Sequence, residues 1–341
     1  MKRKFVLAFV LLGVVLWSGY RLSLAERVEE LKTKPVAEVL EGLGDEPLPH
    51  KPDLSVPGAS VENGRDLVLY GSALGPDGRL GKRISRHFVC TACHNVERDE
   101  PDLSQTNPVA RLEYVASKGL PYLQGSALYG IVNRTGFYNG DYYKKYGDLV
   151  TKARHDLREA IQLCATECSQ GRLLEDWEME SVLAYLWTIG LKMEDLKLSE
   201  QEYQLIAEAK YGDEQSKAIA TIKEKYLSGM PATFVDPPED RKRNQPVTGD
   251  ASRGKLIYEL SCLHCHQDRR YSFFLLDSSQ LSLQFLDKHF SKYDRYSVYQ
   301  VVRYGTSPVP WKRAYMPQYT LEKMDEQMLE DLRTYLRQAA M

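Results

Sequence analysis

The pattern of apolar and polar positions changes character several times along the chain. Phe5 to Trp17 form an unbroken apolar run behind the basic start Met1-Lys2-Arg3-Lys4, the arrangement of an export signal. Ser23-Leu24-Ala25 offers small residues where a signal peptidase would cut, while Phe5 to Tyr20 approaches the length that spans a bilayer. Residues 1–25 are therefore read as a cleaved signal peptide or as a membrane anchor. Both outcomes put the body of the protein in the periplasm or on the outer face of the cytoplasmic membrane. Residues 26–60 run from charged to proline-rich, which predicts a short helix and then an extended tether with little core.

Beyond residue 60 one pattern occurs twice. ENGRDLVLYG (62–71) and ASRGKLIYE (251–259) each place a glycine, a basic residue and large apolar residues at helical spacing. Each repeat also closes on an amphipathic stretch, WEMESVLAYLW (177–187) and DEQMLEDLRTYLR (325–337), with a Tyr-Leu pair at 185/186 and 335/336. Between them, residues 199–227 carry apolar positions at Leu205, Ile206, Ala209, Ile219, Ile222 and Tyr226 and read as a connecting helix, followed by a proline-rich linker over 230–250. Strand signals are weak throughout. The expected class is all-α, a tandem repeat of one small helical domain, with domain 1 over 61–195, a connecting helix and linker over 196–247, and domain 2 over 248–341.

Charge adds an exclusion. Lys and Arg number 45 against 47 for Asp and Glu, a formal charge of -2 with no long basic run, so nucleic acid is not an expected partner.

The chemistry lies between the opening and closing stretches. Cys90-Thr91-Ala92-Cys93-His94 and Cys262-Leu263-His264-Cys265-His266 both have the form C-x-x-C-H. In that motif the two thiols add across the vinyl groups of haem and the histidine becomes an iron ligand, because the spacing sets both sulfurs and the imidazole on one side of a short turn. Two such motifs in an exported chain predict two covalently bound haem c groups, held by Cys90, Cys93 and His94 and by Cys262, Cys265 and His266. His264 reads as a bystander, since only the residue after the second cysteine is placed to reach iron.

With these motifs the chain resembles the class I cytochromes c over about 60–190 and 248–341: a first helix with a glycine and an aromatic, the haem motif, and a last helix with an aromatic that crosses the first. The resemblance implies a methionine ligand in a Met-Pro sequence before the last helix, and Met316-Pro317 supplies it for the second haem, with His289 as its rival. A thioether ligand raises the potential, as suits an electron carrier.

No Met-Pro follows the first motif within its own domain; Met230-Pro231 lies beyond the closing stretch. The candidates for the sixth position there are Cys164, Cys168, His155, Met179 and Met193. The cysteines stand out, because a thiol in an oxidising compartment is a liability unless buried, paired or bound to metal. A bridge between them is an alternative, but cysteines four apart on a regular helix have poorly directed Cβ vectors, so it would require local unwinding.

Cys164-x-x-x-Cys168-Ser169-x-Gly171-Arg172-x-Leu174, with Glu178-Met179 and Ala184-Tyr185-Leu186, resembles the N-terminal domain of the dihaem thiosulfate dehydrogenases and, more distantly, the SoxA-type cytochromes. That resemblance implies Cys164 as the distal ligand of an active-site haem. The pattern departs from it at Cys168, where a basic residue is expected, and in the long interval from His94 to Cys164.

Two functions follow. The first is electron transfer between redox partners, a membrane complex and a soluble carrier, with electrons entering at a His/Cys first haem and leaving at a His/Met second. The second is oxidation of a small sulfur compound such as thiosulfate, with Cys164 in the reaction site and Arg172, Lys152 and Arg154 as candidate anion-binding charges. A dihaem peroxidase fits the length but needs an open haem position, of which the sequence has no clear sign. The tyrosines Tyr138, Tyr142, Tyr143 and Tyr146 are expected to pack around a haem edge rather than form a docking surface.

Overall fold

The computed structural model describes residues 24–235, 248–290, 297–306 and 316–341. The proposed signal or anchor before residue 24 and the middle of the linker, 236–247, lie outside the described residues. Among those described, no helix is long and apolar enough to cross a membrane. The helices used below are α1 (Val36–Gly42), α2 (Val61–Tyr70), α3 (Pro108–Lys118), α4 (Leu157–Leu163), α5 (Asp176–Thr188), α6 (Glu200–Glu208), α7 (Asp213–Lys223), α8 (Ala251–Ile257), α9 (Gln280–Lys288), α10 (Val298–Tyr304) and α11 (Glu326–Ala339). Extended pairing among the described residues is confined to isolated bridges, and the chain is all-α as its periodicity predicts.

Two compact units divide the chain, and they do not follow the repeats. One comprises Met1–Pro49, Asp102–Ser104 and Gly190–Leu227; the other comprises His50–Pro101, Gln105–Ile189 and Ser228–Met341. Both C-x-x-C-H motifs belong to the second.

The first unit corrects the expectation of a tether. Val28 and Leu31, three apart on one helical stretch, and Val36, Val39 and Leu40, three and four apart on α1, are buried because this spacing gives each stretch an apolar face. Met193, Tyr203, Ile206 and Ile222 are buried in the same unit, and the Val36 N–H donates to the Leu191 carbonyl at 2.8 Å. The predicted connecting helix is two helices, α6 and α7, broken where Gly212 takes a positive φ of 58°.

In the second unit the repeat is visible atom by atom. Ser60 caps α2 by accepting from the Asn63 N–H at 3.1 Å, and Asp250 caps α8 by accepting from the Ser252 N–H at 2.8 Å. Four residues on, Gly64 presses against the main chain of α5 at Ser181, and Gly254 against that of α11 at Asp331. A Cβ at either glycine would overlap the facing carbonyl oxygen, and it would lie 2.9 Å from the Tyr185 Cβ in the first case and 2.7 Å from the Tyr335 Cβ in the second. The cap amides complete the match: the Ser60 N–H donates to the Ser181 hydroxyl at 3.1 Å, and the Asp250 N–H to the Asp331 carboxylate at 2.7 Å. Two lobes thus carry one crossing of first and last helices, α2 on α5 and α8 on α11. The shared glycine and Tyr-Leu pair exist because the crossing is so close.

The long interval after the first motif joins the lobes. Leu112 and Val115 of α3, with Tyr122, are buried in one cluster with Ile257, Tyr258, Met328 and Leu332 of the second lobe. The Tyr122 N–H donates to the Leu260 carbonyl at 2.9 Å, and the Tyr122 carbonyl accepts from Ser261 Oγ at 2.8 Å and the Tyr319 hydroxyl at 3.0 Å. Beside it lies a buried charge group. Arg111 Nη2 is 2.6 Å from Asp99 Oδ2, its Nε is 3.4 Å from Glu100, and Lys323 Nζ reaches Glu100 from the second lobe at 3.0 Å.

Candidate haem-attachment sites

The first motif opens into a cavity of about 250 Å³ lined by Cys90, Cys93 and His94 on one side and by Cys164, Cys168 and Met230 among others. Cys90-Thr91-Ala92 is a single 3-10 turn that brings Cys93 and His94 back over Cys90; the His94 N–H donates to the Cys90 carbonyl at 3.0 Å. His94 Nδ1 donates to the Ser126 carbonyl at 2.7 Å, which leaves Nε2 as the nitrogen with a free lone pair. Gly125 makes room for that ring: a Cβ there would lie 2.6 Å from the imidazole. Burial lowers the pKa of His94 and so favours the neutral imidazole, the form that binds metal.

The second motif repeats the arrangement on another scaffold. Leu263–His266 is one helical turn that follows a π turn at Tyr258–Cys262. His266 Nδ1 donates to the Phe274 carbonyl at 2.8 Å, and burial lowers its pKa too. Met316 packs on the same apolar cluster as Cys262 and is pinned from both sides: its N–H donates to Thr306 Oγ1 at 2.8 Å and its carbonyl accepts from the Thr306 N–H at 3.0 Å. Its rival His289 makes the same kind of bond as His94 and His266, Nδ1 donating to the Phe285 carbonyl at 2.7 Å, with its ring 4.3 Å from that of Phe285. His264 lies against the main chain of Thr91 in the first motif, so the two motifs adjoin; burial lowers its pKa to about 4.

The structure narrows the candidates for the first sixth position. Cys164 and Cys168 line the cavity; His155 is exposed and its Nδ1 donates to the Thr135 carbonyl at 3.1 Å. Met179 is buried in the helical core, and Met193 belongs to the other compact unit. Met230, set aside on sequence grounds for lying past the closing helix, lines the cavity instead. Its segment is strapped down where the Thr135 and Gly136 N–H groups donate to the Ser228 carbonyl at 2.8 and 2.9 Å and Asn139 Nδ2 donates to the Ala232 carbonyl at 2.7 Å.

The two extra thiols differ in character. Cys168 Sγ shares hydrogen bonds with the Tyr146 hydroxyl at 3.3 Å and the Tyr138 hydroxyl at 3.7 Å. A hydrogen bond from Cys164, with those phenols and the Lys145 charge, outweighs burial and lowers the Cys168 pKa. The pKa of Cys164 is pushed up, first by that same bond and then by burial. Burial likewise raises Cys90 to about 11, Cys262 to about 12 and Cys265 to about 11, and raises Cys93.

The cationic side chains expected around this site are not those found. Arg172 is held by Glu178 through two bonds of 2.6 Å, Lys152 is exposed, and Arg154 lies over the Tyr143 ring. Among the described residues, the cations that line the cavity are Arg134, Lys145 and Lys323, and no Asp or Glu lines it. Lys145 Nζ donates to Gln318, next to the Met316-Pro317 pair, so this loop of the second lobe forms part of the wall of the first cavity. None of these three is recognisable in the sequence, because they come together from segments nearly two hundred residues apart. Tyr138, Tyr142 and Tyr146 line the cavity, with Tyr138 edge-on to Tyr142 at 4.7 Å, whereas the Tyr143 hydroxyl lies 3.2 Å from Thr151 Oγ1.

The donor set fits a covalently attached macrocycle at each motif: two thiols, and a neutral imidazole whose outer nitrogen is fixed by a backbone carbonyl. Compared with family models, with curated proteins and with solved structures, the chain matches none.

Proposed function

We propose that the chain is a dihaem c-type cytochrome of two cytochrome c-like lobes, which passes electrons outside the cytoplasm between a donor and an acceptor redox protein. The observation that carries this reading is the duplication of one arrangement. A C-x-x-C turn, a histidine with Nδ1 bound to a backbone carbonyl, and a glycine-mediated helix crossing recur around both motifs. Cys90, Cys93, Cys262 and Cys265 would hold the haems, His94 and His266 would be their proximal ligands, and Met316 would complete the second site. At the first site, Cys164, Cys168 and Met230 line the cavity together with His94, and one of them would complete the iron's ligands. Bound haem supplies one-electron redox chemistry. The chain orients the imidazoles through Ser126 and Phe274 and shields the first site with Tyr138, Tyr142 and Tyr146.

A second reading, oxidation of a small sulfur anion at the first site, is favoured by one observation: the cavity carries Arg134 and Lys145, with Lys323 tied to Glu100, and no carboxylate among the described residues lines it. A potentiometric titration of the visible spectrum distinguishes the two, run with and without thiosulfate. The carrier predicts two one-electron waves unaffected by thiosulfate, with Met316→Ala moving only the higher wave downward. Reduction of the protein by thiosulfate supports the enzyme, and a spectrum without redox waves refutes both.

A further inference from the structure

The long interval between His94 and Cys164 is where the chain departs most from the cytochrome resemblance, and α3 with the loop after it fills part of that interval. Leu112 and Val115 of α3 belong to the core of the second lobe. Arg111, beside them in sequence and wholly buried, serves the first motif instead. Its Nη1 donates to the Leu123 carbonyl at 2.9 Å and its Nη2 to the Gly125 carbonyl at 3.4 Å, while Nη2 also holds Asp99 Oδ2 at 2.6 Å. The guanidinium lies over the Tyr122 ring, 4.7 Å from its centre. A flat fork of donors can span two carbonyls and a carboxylate at once; an ammonium gathers its donors at one point and cannot.

The loop held in this way is bonded to three consecutive residues of the first motif. The Gly125 N–H donates to the Cys93 carbonyl at 2.9 Å, His94 Nδ1 to the Ser126 carbonyl at 2.7 Å, and the Leu128 N–H to the Asn95 carbonyl at 2.7 Å. Asn95 closes the circuit, its Nδ2 donating to the Pro121 carbonyl at 3.0 Å and to Asp99 Oδ2 at 3.2 Å. The second motif has a different setting. His266 Nδ1 donates to the Phe274 carbonyl, but Phe274 is 47% exposed and Phe273 91%, so that loop lies at the surface and not against a buried guanidinium.

We infer that Arg111 is a positioning residue for His94: its guanidinium fixes the loop Leu123–Ser126, and the Ser126 carbonyl at the end of that loop fixes the His94 ring. The ring is thereby held in one orientation and one tautomer, with Nε2 left to bind. The consequence for iron rests on the haem reading proposed above; the hold on the ring is a property of the polypeptide. His266 is the internal control, because its carbonyl partner is outside the reach of this fork.

The test uses the full chain, exported, purified in the reduced state and labelled with nitrogen-15 at histidine, and follows exchange of the ring N–H protons with solvent by nuclear magnetic resonance. Arg111→Lys keeps the charge beside Asp99 but loses the fork. It is expected to speed exchange at His94 Nδ1 by about tenfold and to leave His266 unchanged. Arg111→Gln combined with Asp99→Asn removes both charges together and leaves neither unpaired, so it reports should the lysine variant fail to fold; the same selective increase is expected. Asp99→Asn alone keeps the fork on both carbonyls and should leave His94 as slow as in the unaltered protein. The inference is overturned if His94 stays slow in the Arg111 variants, if His266 quickens equally, or if Asp99→Asn alone quickens His94 as much. A bare polypeptide mass would end the haem reading and leave the exchange result standing, whereas unchanged exchange in a haem-loaded chain would end this inference alone.

Discussion

Gly254 lies against Asp331 with no room for a side chain, and this contact locks the first helix of the second lobe across its last. The same contact joins Gly64 to Ser181 in the first lobe. Gly254→Ala would force a methyl into a main-chain carbonyl that neither helix can withdraw without breaking the crossing. A loss of about 3 kcal/mol or more in unfolding free energy is expected, measured as a lowered urea midpoint. Ala at Gly140, where an added Cβ meets nothing within 4 Å, should cost far less and serves as the control.

The two crossings were legible in the sequence because each requires a glycine in the first helix and a Tyr-Leu pair in the last, set by the helical period. The docking of α3 was not. Its amphipathic period shows that Leu112 and Val115 are buried, but periodicity cannot say in which lobe. Residues 26–49 misled because charge and proline content suggested a tether, while the spacing of Val28, Leu31, Val36 and Leu40 was enough for a core. Met230 was discounted by its place in the chain, although the chain returns it to the cavity through Ser228. The π turn at Cys164–Cys168 left no mark in the sequence beyond the spacing of its two thiols.

Lys323 and Arg111 hold the buried carboxylates Glu100 and Asp99 between the lobes. Lys323→Met leaves Glu100 with only its longer contact to Arg111, and a loss of about 3 kcal/mol is expected on unfolding. A loss below about 0.5 kcal/mol would show that the group contributes little to joining the lobes.

Acid should act through the same group. Burial alone would raise the pKa of Asp99, but the charges of Arg111 and Lys323 and the bonds from Arg111 and Asn95 outweigh it and hold the carboxyl low. A carboxyl held below its unfolded value of roughly 3.9 contributes fully above that pH, and the contribution is lost as pH falls through the folded value. Asp99→Asn should therefore be less stable at neutral pH yet lose less on acidification. Equal acid sensitivity in the two proteins, measured by denaturant titration at each pH, would count against this assignment.

Gly125 bears on the first motif and not on the second. A Cβ there would lie 2.5 Å from the Cys93 carbonyl oxygen and 2.6 Å from the imidazole, so Gly125→Ala should displace the first motif and its ring from the Ser126 carbonyl and, on the proposed reading, perturb one haem. The electronic spectrum is expected to show one altered iron and one unaltered iron. A change at both, or at neither, would contradict the separation of the sites.

The central claim is that Cys90, Cys93, Cys262 and Cys265 carry two haems, and the mass of the intact chain under denaturing conditions tests it most directly. After export, the mass should exceed that of the polypeptide by two haem groups that survive acid and organic extraction. Replacing Cys90 and Cys93 together by Ala should remove one of them, and replacing Cys262 and Cys265 the other. An exported chain with the bare polypeptide mass, in a host that loads other c-type cytochromes in the same preparation, would contradict the account.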